Sequence, residues 1–159
     1  MERILVSACL LGQRVRYDGG GFDPLQQLLG WQAQGRLVVV CPEVAGGLPT
    51  PRPPAEIPGG QGAEVLAGRL PVHTDQGEDV TAPFVRGAEQ ALALVRRHGI
   101  RYALLKARSP SCGNVETYDG SFSGVRVSGE GVAAAALRQA GVRVFNEEQL
   151  ADLAALLQS

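Results

Sequence analysis

The chain has 159 residues, 45% of them apolar, with a formal net charge of −1 and a mean hydropathy of +0.01. That is enough chain for one domain with its own core. The charge balance excludes a basic surface for nucleic acid, and no apolar run approaches the ~20 residues of a membrane-spanning helix.

Met1-Glu2-Arg3 runs straight into Ile4-Leu5-Val6. That apolar segment is too short and wrongly flanked for a signal peptide, so a cytoplasmic protein is expected. In a reducing compartment, three cysteines are expected to be metal-binding or catalytic rather than disulfide-bonded, and an odd number leaves one unpaired in any case.

In chain order, residues 3–8 read as a first strand, with Cys9-Leu10-Leu11-Gly12 turning away from it. Residues 15–21 form a glycine-rich loop. It lacks the Gly-x-Gly-x-x-Gly order, so no nucleotide role is assigned. Asp23-Pro24 has the form of an N-cap followed by proline at the first helical position, opening a helix over 24–34 that Gly35 ends. The continuous apolar run 37–40 predicts a central parallel strand buried on both faces, and Cys41-Pro42-Glu43 follows it at once. Residues 42–80 are rich in proline and glycine. A connection that long is expected to be a functional loop, with short strands at Val65 and at 70–72.

Asp79-Val80-Thr81 opens a helix that Gly99 closes, and 100–106 is a third strand. It breaks into Ala107-Arg108-Ser109-Pro110-Ser111-Cys112-Gly113, where Pro110 stops any ladder and Gly113 is expected to take a positive φ. Asp119-Gly120 marks a hairpin or tight loop over 115–127. An alanine-rich helix over 132–140 leads to a fourth strand at 142–145, and Asn146 caps a last helix over 147–157.

Strands alternating with helices predict a single α/β domain, Rossmann-like, with a mostly parallel sheet of about four main strands and flanking helices. Ligands in such folds bind outside the carboxyl ends of the strands. Cys9, Cys41 and Cys112 all fall just past strand ends, so the fold is expected to bring them to one rim. Three thiolates there suit a metal. Tetrahedral zinc would want a fourth ligand, for which His73 is available, whereas His98 falls at the opposite edge. An iron–sulfur cluster on three cysteines would keep one iron open to substrate. Three small buried hydrophobes remain an alternative reading.

Glu43, two residues past Cys41, would act as general acid or base there, or stand as a solvated loop glutamate. Ser109 is placed to donate a proton, although Ser109 and Ser111 would equally cap their turn. Asp18 would orient a ligand or form a turn. Arg52 and Lys106, the only lysine, would hold anionic or carbonyl oxygens.

The stretches Val-Ser-Ala-Cys-Leu-Leu-Gly (6–12), Val-Arg-Tyr-Asp-Gly (15–19), Val-Cys-Pro-Glu-Val-Ala-Gly-Gly-Leu (40–48) with Pro51-Arg52, and Lys-Ala-Arg-Ser-Pro-Ser-Cys-Gly (106–113) resemble the thiouracil desulfidase family, in order and over almost the whole chain. The resemblance implies a [4Fe–4S] cluster held by Cys9, Cys41 and Cys112, with one iron not bound by protein. By motif, the family's catalytic glutamate falls on Glu43 and its serine on Ser109. Asp18, Arg52, Lys106 and Ser111 are the candidates for substrate binding. The implied reaction is non-redox removal of sulfur from a thiolated pyrimidine such as 2-thiouracil, giving uracil and sulfide. The implied partner is a free nucleobase or nucleoside, with no membrane and no direct nucleic acid. Two other readings stand beside it: a zinc-dependent hydrolase using the three cysteines and His73, and an iron–sulfur module that hands sulfur to a thiolation pathway.

Overall fold

The computed structural model describes residues 2–21 and 25–158, so the Asp23-Pro24 cap lies outside the described residues. In chain order the elements are β1 (Ile4–Ser7), α1 (Gln26–Ala33), β2 (Leu37–Val40), α2 (Pro42–Ala45), β3 (Ala55–Glu56), α3 (Gly62–Leu66), β4 (His73–Thr74), α4 (Thr81–His98), β5 (Tyr102–Leu105), β6 (Glu116–Tyr118), β7 (Arg126–Ser128), α5 (Val132–Gln139), β8 (Arg143–Asn146) and α6 (Leu150–Gln158). Short 3-10 turns occupy Ala8–Leu11, Pro58–Gly60 and Glu147–Gln149.

Four strands form one parallel sheet in the order β2-β1-β5-β8. Ile4 aligns with both Leu37 and Tyr102, and Tyr102 aligns with Arg143, so the four carboxyl ends finish level. Successive side chains of a strand face opposite ways, and β1 is buried on both sides. Ile4 and Val6, with Leu104, pack on Leu28 and Trp31 of α1 and Leu153 of α6. Leu5, with Ala103 and Leu105, packs on Ala91 and Val95 of α4 and on Ala134 and Leu137 of α5. Each fully buried side chain of this kind contributes about 1.5–3 kcal/mol. Leu104→Ala, at 0% exposure, is expected to cost about 2–5 kcal/mol.

The order places the site. The chain leaves β1 toward β2 on one side, then crosses back to lay β5 on the other. The crevice between the carboxyl ends of β1 and β5 is therefore the switch point at which open α/β sheets bind ligands. Cys9 follows β1 and the serine-cysteine loop follows β5.

Several expectations need correction. β2 is an edge strand, and Leu37–Val39 are only half-buried. Its apolar run still packs on both faces, Val38 and Val40 on one side and Leu37 and Val39 on the other, but at the edge of the sheet rather than its centre. Val65 lies in helix α3, not in a strand, and 70–72 leads into the two-residue strand β4, antiparallel to β3. Tertiary packing decides there: Ile57, Val65 and Val72 are buried against Phe84 and Ala88 of α4 and Val132 and Ala136 of α5. β6 and β7 form the expected hairpin, but Asp119-Gly120 opens a longer loop over 119–125 rather than a two-residue turn. Gly113 does not take a positive φ; the left-handed residue of that loop is Arg108, at φ 68°. Asn146 does cap, its Oδ1 accepting from Glu148 N at 2.8 Å while Gln149 Oε1 accepts from Asn146 N at 3.0 Å.

Candidate active site

Three strand ends supply the three cysteines. Cys9 sits in the 3-10 turn that follows β1, half-buried. Cys41 is the residue before α2, with Pro42 at the first helical position. Cys112, buried, lies in the loop after β5. All three are free thiols and line one cavity of about 680 Å³.

Two helices fix the loops that carry them. α2 packs backbone to backbone on α4: a Cβ on Gly87 would strike the Pro42 carbonyl, and one on Gly46 would strike that of Pro83. That contact seats Cys41 and Glu43. The Cys112 loop is held by the first amides of α5, which have no partner within the helix. Val132 N donates to Pro110 O at 2.8 Å, Ala134 N to Ser111 O at 3.0 Å, and Gly131 N to Gly113 O at 2.7 Å.

Burial, reinforced by the neighbouring Cys112 and Cys41, pushes the Cys9 thiol up to about 12. Burial likewise pushes Cys112 up to about 11, against hydrogen bonds from Ser7 and Ser111, with Cys41 and Glu43 raising it further. The sulfurs thus lie close enough to disfavour one another's ionisation. A shared cationic group reverses that balance, and its binding releases protons.

The donor set fits a cluster better than a single ion. Among the described residues no three His, Cys, Asp or Glu side chains are placed to hold one metal ion, whereas a cluster distributes its cysteines over separate irons. His73 pairs with Glu56 in the β3–β4 ribbon and is not part of the cavity lining, so the zinc reading lacks its fourth ligand. His98 lies at the far rim, where Nδ1 is 2.9 Å from an Arg3 guanidinium nitrogen. Cys112 Sγ also has the Ser7 hydroxyl at 3.5 Å, the kind of donor that tunes a cluster's sulfur ligands, and Ser111 Oγ lies at the same distance.

Glu43 is held from two sides. Arg52 Nε donates to Oε1 at 3.1 Å and Ser111 Oγ to Oε2 at 3.0 Å. Arg52 is spent on the protein. Its side chain is only 4% exposed, and it also donates to Pro49 O (3.0 Å), Thr50 Oγ1 (3.1 Å) and Val15 O (3.0 Å). It ties the glycine-rich loop to α2 while lining the cavity.

Ser109 Oγ accepts from Cys112 N at 2.7 Å and lies 3.3 Å from Ser111 Oγ. Ser111 has one proton, and the carboxylate is a stronger acceptor than the thiol sulfur. The chain therefore runs Ser109 O–H to Ser111 O–H to Glu43. Lys106 Nζ meets Glu147 Oε2 at 2.6 Å, and Glu147 Oε1 accepts from Ala107 N at 2.7 Å. Asp18 stays off the cavity lining; its Oδ1 accepts from Gly20 N at 2.8 Å, a local turn.

The structure brings together Cys9, Cys41, Cys112, Glu43, Arg52, Lys106, Ser109 and Ser111, and leaves Asp18 outside. Sequence reasoning missed Ser7, Tyr17, Glu56, Tyr118 and Phe122, which also line the cavity. Ser7, directly before the Ala8-Cys9 turn, was signalled as a polar residue ending an apolar strand. The others come from loops whose course no local pattern predicts.

A family model described as 2-thiouracil desulfurase matches residues 4–149. The uncharacterized protein YbbK of Bacillus subtilis (strain 168) is 43% identical over 152 residues, spanning 94% of this chain and 99% of its own length. A solved structure described as a [4Fe-4S]-dependent thiouracil desulfidase, TudS, is 53% identical with a TM-score of 0.90, and the match covers 99% of each chain.

Proposed function

The chain belongs to the 2-thiouracil desulfurase family, and from that premise we propose that it is a [4Fe–4S]-dependent desulfidase converting a thiolated pyrimidine such as 2-thiouracil to uracil and sulfide. The observation that carries this reading is the meeting of three free thiols, from three strand ends, in one cavity with a carboxylate tied to a pair of serines.

Cys9, Cys41 and Cys112 would hold the cluster. When bound, it supplies an iron without a protein ligand, a Lewis-acid position for a sulfur atom.

The rest falls to the chain's own residues. Glu43 takes a proton from water, whose oxygen bonds to the ring carbon as the carbon–sulfur bond breaks. Neither carbon nor sulfur changes oxidation state, so the net reaction is hydrolysis. Arg52, with Ser111 on the other carboxylate oxygen, holds Glu43 in place on the cavity wall. Ser109 and Ser111 form the path by which a proton passes between that carboxylate and a ring nitrogen. Lys106, held by Glu147 and donating to Ala107 O, sets a positive charge on the carboxyl rim of the cavity.

The test is anaerobic reconstitution with iron and sulfide, metal and acid-labile sulfide analysis, then a sulfide and uracil assay over thiolated bases and nucleosides. Stoichiometric uracil and sulfide from a free base supports the enzyme. A loaded cluster that releases sulfur only to an added acceptor would make the protein a carrier instead, and zinc without labile sulfide would overturn both.

A further inference from the structure

Among the described residues two that are not glycine have a left-handed backbone, Arg108 and Phe122, and both line the cavity. For a bulky residue that conformation is strained, and it persists only where neighbours impose it. At Phe122 (φ 58°) the imposing group is Glu56: its Oε1 accepts from Gly120 N at 2.9 Å and from Phe122 N at 3.2 Å. The loop around it is equally tied. Asp119 Oδ1 accepts from Ser121 N at 2.9 Å and Ser121 Oγ at 2.6 Å, and Gly59 N donates to Asp119 O at 2.8 Å. The hairpin tip is therefore a rigid shelf rather than a free flap.

Core packing does not explain the side chain it carries. Phe84 and Phe145 are 1% and 8% exposed, whereas Phe122 is 36% exposed. Tyr17, also exposed, and Tyr118 share the cavity with it. A strained backbone held by two N–H hydrogen bonds to one carboxylate, presenting an exposed aromatic ring to a cavity, is arranged for a ligand rather than for the fold.

We propose that Phe122 is a substrate-binding residue on which the planar pyrimidine stacks, and that Glu56 is the positioning residue that holds it ready. The proposal rests on the reading of the substrate as a thiolated pyrimidine. Stacking of bases on aromatic side chains is sequence-tolerant because it uses the π-face. It suits a site whose polar groups are committed to the ring's edge. A shelf ordered before binding also avoids the ordering cost of a loop that closes on its ligand.

The experiment uses the reconstituted holoenzyme. Phe122→Ala and Phe122→Asn, the second because asparagine tolerates a left-handed backbone, should raise KM for 2-thiouracil about tenfold, as expected for one lost base–aromatic stack. They should leave kcat within about twofold, and iron content and thermal midpoint unchanged. Phe122→Trp should restore KM. Calorimetric Kd values for uracil, which has the ring without the sulfur, should weaken in parallel. Glu56→Ala should raise KM to the same extent, speed hydrogen exchange at the Gly120 and Phe122 amides, and add nothing further in the double variant with Phe122→Ala. Unchanged KM and uracil affinity in Phe122→Ala, or losses that multiply in the double variant, would overturn the proposal. A wild-type enzyme that binds uracil through Phe122 yet releases no sulfide would instead count against the desulfidase reading.

Discussion

The two rims of the sheet carry the same kind of chemistry in different surroundings. At the amino rim Arg101 Nε meets Glu2 Oε1 at 2.8 Å, with the arginine side chain 71% exposed. At the carboxyl rim Arg52 Nε meets Glu43 Oε1 at 3.1 Å, with the side chains 4% and 14% exposed. The exposed pair is the shorter and the less consequential. Water screens it, whereas the buried pair depends on further partners, and Arg52 has three acceptors besides Glu43. Distance does not separate a structural surface pair from a working one; burial and the number of satisfied donors do.

The largest effect expected on that contrast is at Glu43. Glu43→Gln removes the proton acceptor while leaving a hydrogen-bonding group of the same shape. Turnover should fall by about 10²–10⁴ with the iron and labile sulfide content kept, whereas Glu2→Gln should leave turnover alone. Full activity in Glu43→Gln would assign the base elsewhere. Cys9→Ala should separate from it by losing cluster and activity together, read from the visible absorption of the protein.

Next is Arg52. Arg52→Ala leaves Glu43 without its cation, with only Ser111 still donating to it, and takes the guanidinium donor from the Val15 and Pro49 carbonyls; it should cost about 3–5 kcal/mol in denaturant unfolding. Arg101→Ala at the other rim should not move the midpoint measurably. Equal effects at the two rims would mean that burial is not what distinguishes them.

The sheet and its carboxyl rim are legible in the sequence; the ion pairs on the rims are not. The β-α alternation and the apolar runs 4–6 and 102–105 predict the parallel sheet. Placement at strand ends predicts the rim for Cys9, Cys41 and Cys112, because parallel strands share a carboxyl edge. What the residues did not disclose depends on distant contacts. Arg52 reads as a free cation until its partners, Val15 and Glu43, come from other segments. Val65 reads as a strand residue until α4 and α5 offer it a helical site. Phe122 gives no local sign at all, since its conformation is set by Glu56 across 66 positions of chain.

A smaller effect tests the serine pair. Ser111→Ala removes the donor to Glu43 Oε2 and the link to Ser109, while the Cys112 sulfur keeps the Ser7 hydroxyl. kcat should fall about tenfold, near the lower end of what a positioned proton path contributes, with KM and cluster content unchanged. An unchanged kcat would remove Ser111 from the path.

The smallest effect concerns the second carboxyl-rim pair, Lys106 with Glu147. Burial alone would raise the Glu147 carboxyl. The hydrogen bonds from Lys106 and from Ala107 N outweigh it and hold the group below its ordinary 4.5. A carboxyl depressed in the folded state adds stability above the unfolded-state value and loses it as pH falls through the folded one. The thermal midpoint of the wild type should therefore exceed that of Glu147→Gln by a constant margin from neutrality down to about pH 4.5. Below that the two should converge as the carboxyl protonates. The amino-rim Glu2 is also lowered, first by its hydrogen bond to Arg101, but that partner side chain is 71% exposed and open to salt. Its margin over Glu2→Gln should vanish at high ionic strength, while that of Glu147, whose partner Lys106 has a side chain only 17% exposed, should survive. If salt erased both alike, the Lys106–Glu147 pair would have to be counted with the surface pairs, and the asymmetry between the rims would rest on Arg52 and Glu43 alone.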